Sequence, residues 1–306
     1  MKFGKVPDPK KIDFKLTDDP KITLSTLKSL SPRKGPAKIY VGCTGWSMKE
    51  WVGNVYPAKT KAKDYLKFYG NQFNTIELNT THYRIPNAET IDKWKKATPK
   101  DFRFCPKIVQ RVSHARDMGI GSGLLMDFCE SIRPLGERLG PCFMQLPPYW
   151  GSDRYAQLDT FLKNWPAEIA LAIEVRHPSW FENPEETEKL LSLLRAYHVG
   201  AVITDVAGRR DVLHQGVTTY FAMIRWVGNG LIESDYSRLD DWIKRLNDWI
   251  EQGIHEIYFF PHEPDNILAP EITLYLTQKI KEIIPEVELR GPTLPIFEEG
   301  GQLGLF

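Results

Sequence analysis

Cysteine is scarce in this chain of 306 residues, with four in all. Cys43, Cys105, Cys129 and Cys142 form no C-x-x-C pair, which argues against a disulfide framework and against a thiolate zinc site. Three of them stand inside apolar, strand-like runs, where small buried thiols are common. An excess of either charge is missing as well. Forty Lys and Arg against thirty-nine Asp and Glu leave a net +1, so no overall field draws the chain to DNA or anionic lipid, and any nucleic-acid role needs a local basic surface. No apolar run approaches the ~20 residues of a membrane span, and the start MKFGKVPDPKKIDF offers no apolar stretch suited to secretion. The expected location is the cytoplasm, without membrane contact. There is also no H-E-x-x-H, no nucleophile elbow and no Walker loop, which removes support from zincin, α/β-hydrolase and P-loop chemistry. GCTGW lacks the third glycine of a dinucleotide fingerprint.

What remains is 42% hydrophobic and 12% aromatic, ordinary for a globular chain, and it is regularly organised. Residues 1–36 read as a polar arm with a short helix near Ile22 to Leu30, closing in the breaker-rich SPRKGPAK. From Ile39, β-branched or aromatic runs alternate with amphipathic stretches. The runs begin IYVGCTGW, NTIELN, FRFCPKI and PCFMQLP, and continue ALAIEVRH, AVITDV, TYFAMIRW and EIYFFPH. Helical patterns span Lys61 to Gln72, Ala88 to Ala97, Leu124 to Leu139 and Arg154 to Lys163, then Pro184 to Tyr197, Arg238 to Glu251 and Pro270 to Ile284. Asn87 and Asn183 can cap two of them, and Pro184 suits a first helical position. Eight βα units in roughly 250 residues are what a TIM (β/α)8 barrel with a parallel sheet needs. The sixth unit is irregular, because AGRRDVLHQGV has little helical character. The expected division is an arm over 1–36, a barrel domain over 37–286 and a flexible tail over 287–306.

In such a barrel the site lies where strands end, and polar side chains gather there. Alternation puts Glu77 and Asn79 opposite Ile76 and Leu78, and Glu174 and Arg176 opposite Ile173 and Val175. The same parity places Lys107, Gln145, Asp205 and Arg225 at the ends of strands three, four, six and seven, with His177, Trp180, Tyr83 and His262 at the rim. Burying one charge in a β-run is costly unless it is paired, and this chain does so repeatedly at one end. Salt bridges plugging the mouth are the bland explanation. The richer one is a catalytic set of Glu77, Glu174, Asp205, Lys107 and His177. Substrate would then be held by Asn79, Tyr83, Gln145, Arg176, Trp180, Arg209, Arg225 and Trp46. Glu77, Glu174, Asp205, His177 and His262 could ligate one or two divalent metal ions and activate water. Alternatively, Glu77 and Glu174 could act as acid and base on a glycosidic or related bond without metal. Gly208-Arg209-Arg210, Arg225 and Lys107 make the mouth basic, which suits a phosphate-bearing substrate, a small molecule or a nucleic acid.

The segments GCTGWSMKEWVGNVYP, FNTIELNTTHYRIP, TPKDFRFCPK, LGPCFMQLPP and EVRHPSWF together resemble the YecE-like family, a domain-of-unknown-function family with a TIM-barrel fold. The resemblance runs from about Ile39 to Ile284 and implies the fold; it implies no established reaction. FFPHEPDN departs from the F-N-N followed by small residues of many members, which leaves the role of His262 open.

The chain ends Gln302-Leu303-Gly304-Leu305-Phe306 behind GPTLPIFEEGG. This resembles the Q-L-x-L-F peptide by which bacterial replication and repair proteins dock on the DNA sliding clamp. Gln302, Leu303, Leu305 and Phe306 would be its contact residues, with Leu305 and Phe306 filling an apolar pocket. The combined expectation is a metal-assisted hydrolase or nuclease-like enzyme with a role in DNA repair. A metal-free carbohydrate or small-metabolite enzyme and a non-catalytic adaptor are the alternatives.

Overall fold

The computed structural model describes residue 4 and residues 6–293. Its strands are β1 (Lys38–Val41), β2 (Thr75–Leu78), β3 (Arg103–Pro106), β4 (Cys142–Gln145), β5 (Leu171–Glu174), β6 (Gly200–Asp205), β7 (Phe221–Val227), β8 (Glu256–His262) and β9 (Glu288–Leu289). The helices are α1 (Lys21–Ser29), α2 (Tyr65–Gln72), α3 (Ala88–Ala97), α4 (Gln110–Ser113), α5 (Leu124–Ile132), α6 (Tyr155–Asn164), α7 (Pro184–Ala196), α8 (Glu233–Glu251) and α9 (Ala269–Ile283). None is long and apolar enough to cross a membrane.

Parallel ladders run in the order β4-β5-β6-β7-β8-β1-β9, and β2 pairs separately with β3. Isolated hydrogen bonds join these two sheets at both seams. Ile108 N–H donates to Phe143 O at 2.9 Å, and Glu77 N–H to Cys43 O at 3.1 Å. Deeper in the second seam the Asn74 amide stands in for strand pairing, accepting from Val41 N–H and donating to Ile39 O at 2.8 Å each. Strands β1 to β8 thus follow one another in chain order, each bonded to the next and β8 to β1, as a (β/α)8 arrangement requires.

Side-chain alternation sorts the strands into two faces. Tyr40, Cys105, Phe143, Ala172, Val202, Met223, Tyr258 and Phe260 share one buried cluster on the inner face. Ile39, Val41, Ile203, Ile224, Ile257 and Phe259 face outward, under α8 and α9. Helix α8 turns Leu239, Trp242, Ile243, Leu246 and Trp249, all fully buried, onto that outer face. Asn87 and Asn183 cap α3 and α7, and Pro184 opens α7, as their positions suggest. All four cysteines are free and buried.

Three segments differ from the pattern-based expectation. The stretch from Leu124 to Leu139 is not one helix. Pro134 and Gly136, whose φ is +59°, convert its second half to a 3-10 turn. The polar arm is structurally integral, because α1 occupies the place left by the helix-poor sixth unit. Thr23 Oγ1 donates to Gln215 O at 2.7 Å and accepts from Val217 N–H at 2.8 Å, while Arg195 of α7 bonds Ser25 and Ser29. The start of the tail is likewise built in. Strand β9 pairs with the base of β1, and the Arg290 guanidinium donates to Phe73 O, closing the lower seam.

Candidate active site at the strand ends

One step beyond the apolar inner cluster, the same face carries Glu77, Lys107, Gln145, Glu174, Thr204, Arg225 and His262. Six of these seven form a continuous network. Arg225 forks between the carboxylates, donating from Nε and Nη2 to Glu77 at 2.8 and 3.0 Å and from Nη1 to Glu174 Oε2 at 2.7 Å. Asn79 Nδ2 donates to Glu77 Oε1 at 2.9 Å, and His262 Nε2 lies 3.0 Å from Glu77 Oε2. On the other side Gln145 Nε2 reaches both Glu174 oxygens at 2.9 Å, and its Oε1 accepts from Lys107 Nζ at 2.9 Å. Both glutamates are fully buried, and Arg225, Lys107 and His262 nearly so.

Charge pairing decides the ionisation of this set. Burial alone would raise the carboxyls, but Arg225 and His262 hold Glu77 well below the usual range, and Arg225 and Arg176 hold Glu174 below it. Both are ionised at neutral pH, so neither can serve as the proton donor that paired-carboxylate glycoside chemistry demands. Lys107 behaves differently. Burial, with the Arg225 charge, brings its ammonium down to about 8 against the pull of the two glutamates. Beside it His82 and His114, ring centroids 6.0 Å apart, are lowered by burial and by Lys107 and Arg176.

The network opens on a cavity of about 260 Å³ whose polar lining includes Gln145, Thr204, Arg225, Asn229, His262 and Glu263. Glu263 is 3% exposed; its Oε2 accepts from Gly230 N–H at 2.9 Å, while its buried Oε1 has no hydrogen-bond partner. Burial raises this carboxyl to about 7. Between pH 4.5 and that value the folded chain keeps a proton that the unfolded chain has released, so the group's contribution to stability is present at lower pH and lost as pH rises through about 7. Replacing Glu263 by Gln is therefore expected to stabilise the protein by about 2 kcal/mol at pH 8 and hardly at all at pH 4. Urea unfolding at the two pH values measures the difference.

Several residues expected at the site lie elsewhere. Asp205 faces outward from β6, fully buried, and takes hydrogen bonds from Arg238 at 2.8 Å, Trp242 Nε1 at 2.7 Å and Arg210. The inward residue at that strand end is Thr204. Trp180 is closed off from ligand, fully buried on Trp150 with its Nε1 bonded to Trp150 O. His177 caps the turn at Pro178–Trp180 through Ser179. Trp46 packs edge-on against Trp94, and Tyr83 is 79% exposed. Arg176 Nε donates to Leu146 O, and Arg209 donates to Arg176 O and to Asp211. The expected metal set of Glu77, Glu174, Asp205, His177 and His262 does not converge: among the described residues no three His, Cys, Asp or Glu side chains come together in a metal-holding group, and a guanidinium stands between the two glutamates. Glu263, Thr204 and His114 are the additions. Glu263 follows His262 directly, and its exit from a strand in PHEP was the available signal.

A parallel-stranded α/β protein with a charged network at its strand ends is the class these observations define. The family model described as "Protein of unknown function DUF72" matches residues 40–294, and the chain belongs to that family. It is 30% identical over 267 residues to the UPF0759 protein YecE of Escherichia coli K12, covering 81% of this chain and 95% of that protein. It is 31% identical over 166 residues to the UPF0759 protein YunF of Bacillus subtilis, covering 52% of this chain and 57% of that one. Crystal structures of DUF72 family proteins share the fold. That from Enterococcus faecalis V583 has a TM-score of 0.66 at 20% identity, over 79% of this chain and 95% of its own. That from Thermotoga maritima MSB8 has a TM-score of 0.59 at 25% identity, over 81% of this chain and all of its own.

Proposed function

We propose that the chain is an acid–base enzyme acting on a small phosphate- or carboxylate-bearing molecule at the strand-end network, with Lys107 as the group that moves the proton. One observation carries this reading: Lys107, buried and bonded through Gln145 to the Glu–Arg–Glu frame, has an ammonium brought down to about 8. A lysine in that range serves as acid and base near neutral pH, and the neighbouring Arg176, His82 and His114 supply donors for an oxyanion. The cavity that the network borders through Gln145, Arg225 and His262, about 260 Å³ in volume, suits a small metabolite better than a polymer. Metal-assisted hydrolysis finds no ligand set among the described residues to favour it. A screen of phosphorylated and carboxylated metabolites for turnover tests the proposal. Lys107→Met is expected to lower kcat by at least about a hundredfold in any reaction found, and a variant with full kcat would refute the assignment.

The terminal motif lies outside the described residues and adds a separate, sequence-based proposal that the tail docks on the sliding clamp. Phe306→Ala is expected to weaken binding to purified clamp by at least about tenfold. Equal affinity of variant and parent would refute docking.

A further inference from the structure

Residues that border the cavity carry buried polar atoms that the network does not use. Glu263 Oε1 and Thr204 Oγ1, both on residues no more than 5% exposed, have no hydrogen-bond partner, nor does the buried Oδ1 of Asn266. All three residues line the cavity. Leaving a buried polar oxygen unsatisfied is costly, and three of them on residues around one hollow are a reason to look for a ligand. The backbone is shaped to hold them. Gly228 packs so closely on Glu263 that a Cβ there would stand 2.1 Å from Oε1, so only glycine allows the carboxyl its seat. The remaining wall comes from the amino-terminal arm: Gly4 O accepts from Gly208 N–H at 2.9 Å, and Gly4, Val6 and Pro9 border the opening.

The lining selects the chemistry. The Asn266 amide oxygen can only accept, the Glu263 carboxyl accepts when ionised, and the Thr204 hydroxyl can do either, so a ligand presenting several O–H or N–H groups matches the set. The apolar lining is aliphatic, from Val6, Pro9, Val206, Val227 and Pro264, and no Phe, Tyr or Trp ring borders the cavity among the described residues. That wall suits a puckered, C–H-rich ring better than a flat base seeking a stacking partner. We propose that this arm-bordered cavity is a subsite for a polyhydroxylated ring, so that the substrate class is a sugar phosphate whose hydroxyls bond Glu263, Thr204 and Asn266 while its phosphate is directed to the Arg225 side of the cavity, toward the network that holds Lys107. The inference rests on the oxyanion site proposed above and adds the arm as a determinant of specificity.

Calorimetric titration of the full chain with ribose 5-phosphate, glucose 6-phosphate, the two free sugars and inorganic phosphate tests it. At least one sugar phosphate is expected to bind about tenfold or more tightly than phosphate. Glu263→Gln, and independently Val6→Trp, which fills the subsite from the arm without touching the strands, are expected to remove that advantage. Sugar phosphates binding no better than phosphate would overturn the subsite while leaving the oxyanion site standing, as would an advantage that survives both substitutions. A free sugar that binds through Glu263 while phosphate does not bind would support the subsite and overturn the oxyanion reading. No binding by any of the five probes would overturn both.

Discussion

Arg225→Met should destabilise the protein by about 3–5 kcal/mol in equilibrium urea unfolding, the range for removing one partner of a buried ion cluster. Among the described residues the guanidinium is the only cation bonded to both Glu77 and Glu174, and both carboxylates are fully buried. Without it they face each other across the inner face with no cation bonded between them, and one must take up a proton or drag water inward. The loss should therefore shrink as pH falls into the carboxylate range. Adding Glu77→Gln and Glu174→Gln to Arg225→Met should restore much of the stability, a positive coupling that a double-mutant cycle reports. Arg225→Lys keeps the charge but not the fork, and should fall between parent and Met variant.

Asp205→Asn is expected to cost about 3–5 kcal/mol as well, yet to leave oxyanion affinity at the parent value in conditions where the variant is folded. Asp205 gathers Arg238, Arg210 and the Trp242 indole on the outer face of β6. Those arginines in turn hold the arm. Arg210 donates to Phe14 O at 3.0 Å and Lys15 O at 3.1 Å, and Arg238 lies 4.5 Å from the Phe14 ring centroid. Limited proteolysis should consequently cut the segment 6–20 faster in Asp205→Asn. A variant of parental stability that lost oxyanion binding would return Asp205 to the site.

Why parity placed Glu77, Lys107, Gln145, Glu174 and Arg225 together but misplaced Asp205 is a matter of neighbours. In TIEL and AIEV each glutamate is flanked by large apolar residues that must face helices, so only one face is left for the charge. In AVITDV both faces are apolar, Val202 inside and Ile203 outside, and alternation alone carries no preference. The deciding partner sits on α8, where Arg238 and Trp242 share the buried stripe four residues apart, a pairing that sequence spacing displays but does not connect to β6. The expected metal set meets a related ambiguity. Carboxylates gathered at strand ends look alike in sequence whether they surround an ion or a guanidinium, and only the fold places Arg225 between them. Glu263 escaped because its environment is made by Gly228 and Gly230 on the preceding loop, through a close approach that one-dimensional patterning does not encode.

Sulfate binding followed by calorimetry from about pH 7.5 to about pH 9.5 tests most directly whether these strand ends form a working oxyanion site, since the probe's own charge is constant across that window. Affinity should weaken by about tenfold with a midpoint near the Lys107 value of about 8, and Lys107→Met should bind weakly without pH dependence. Sulfate affinity that ignores pH in the parent, or is equal in the Lys107→Met variant, would show that the network only closes the mouth.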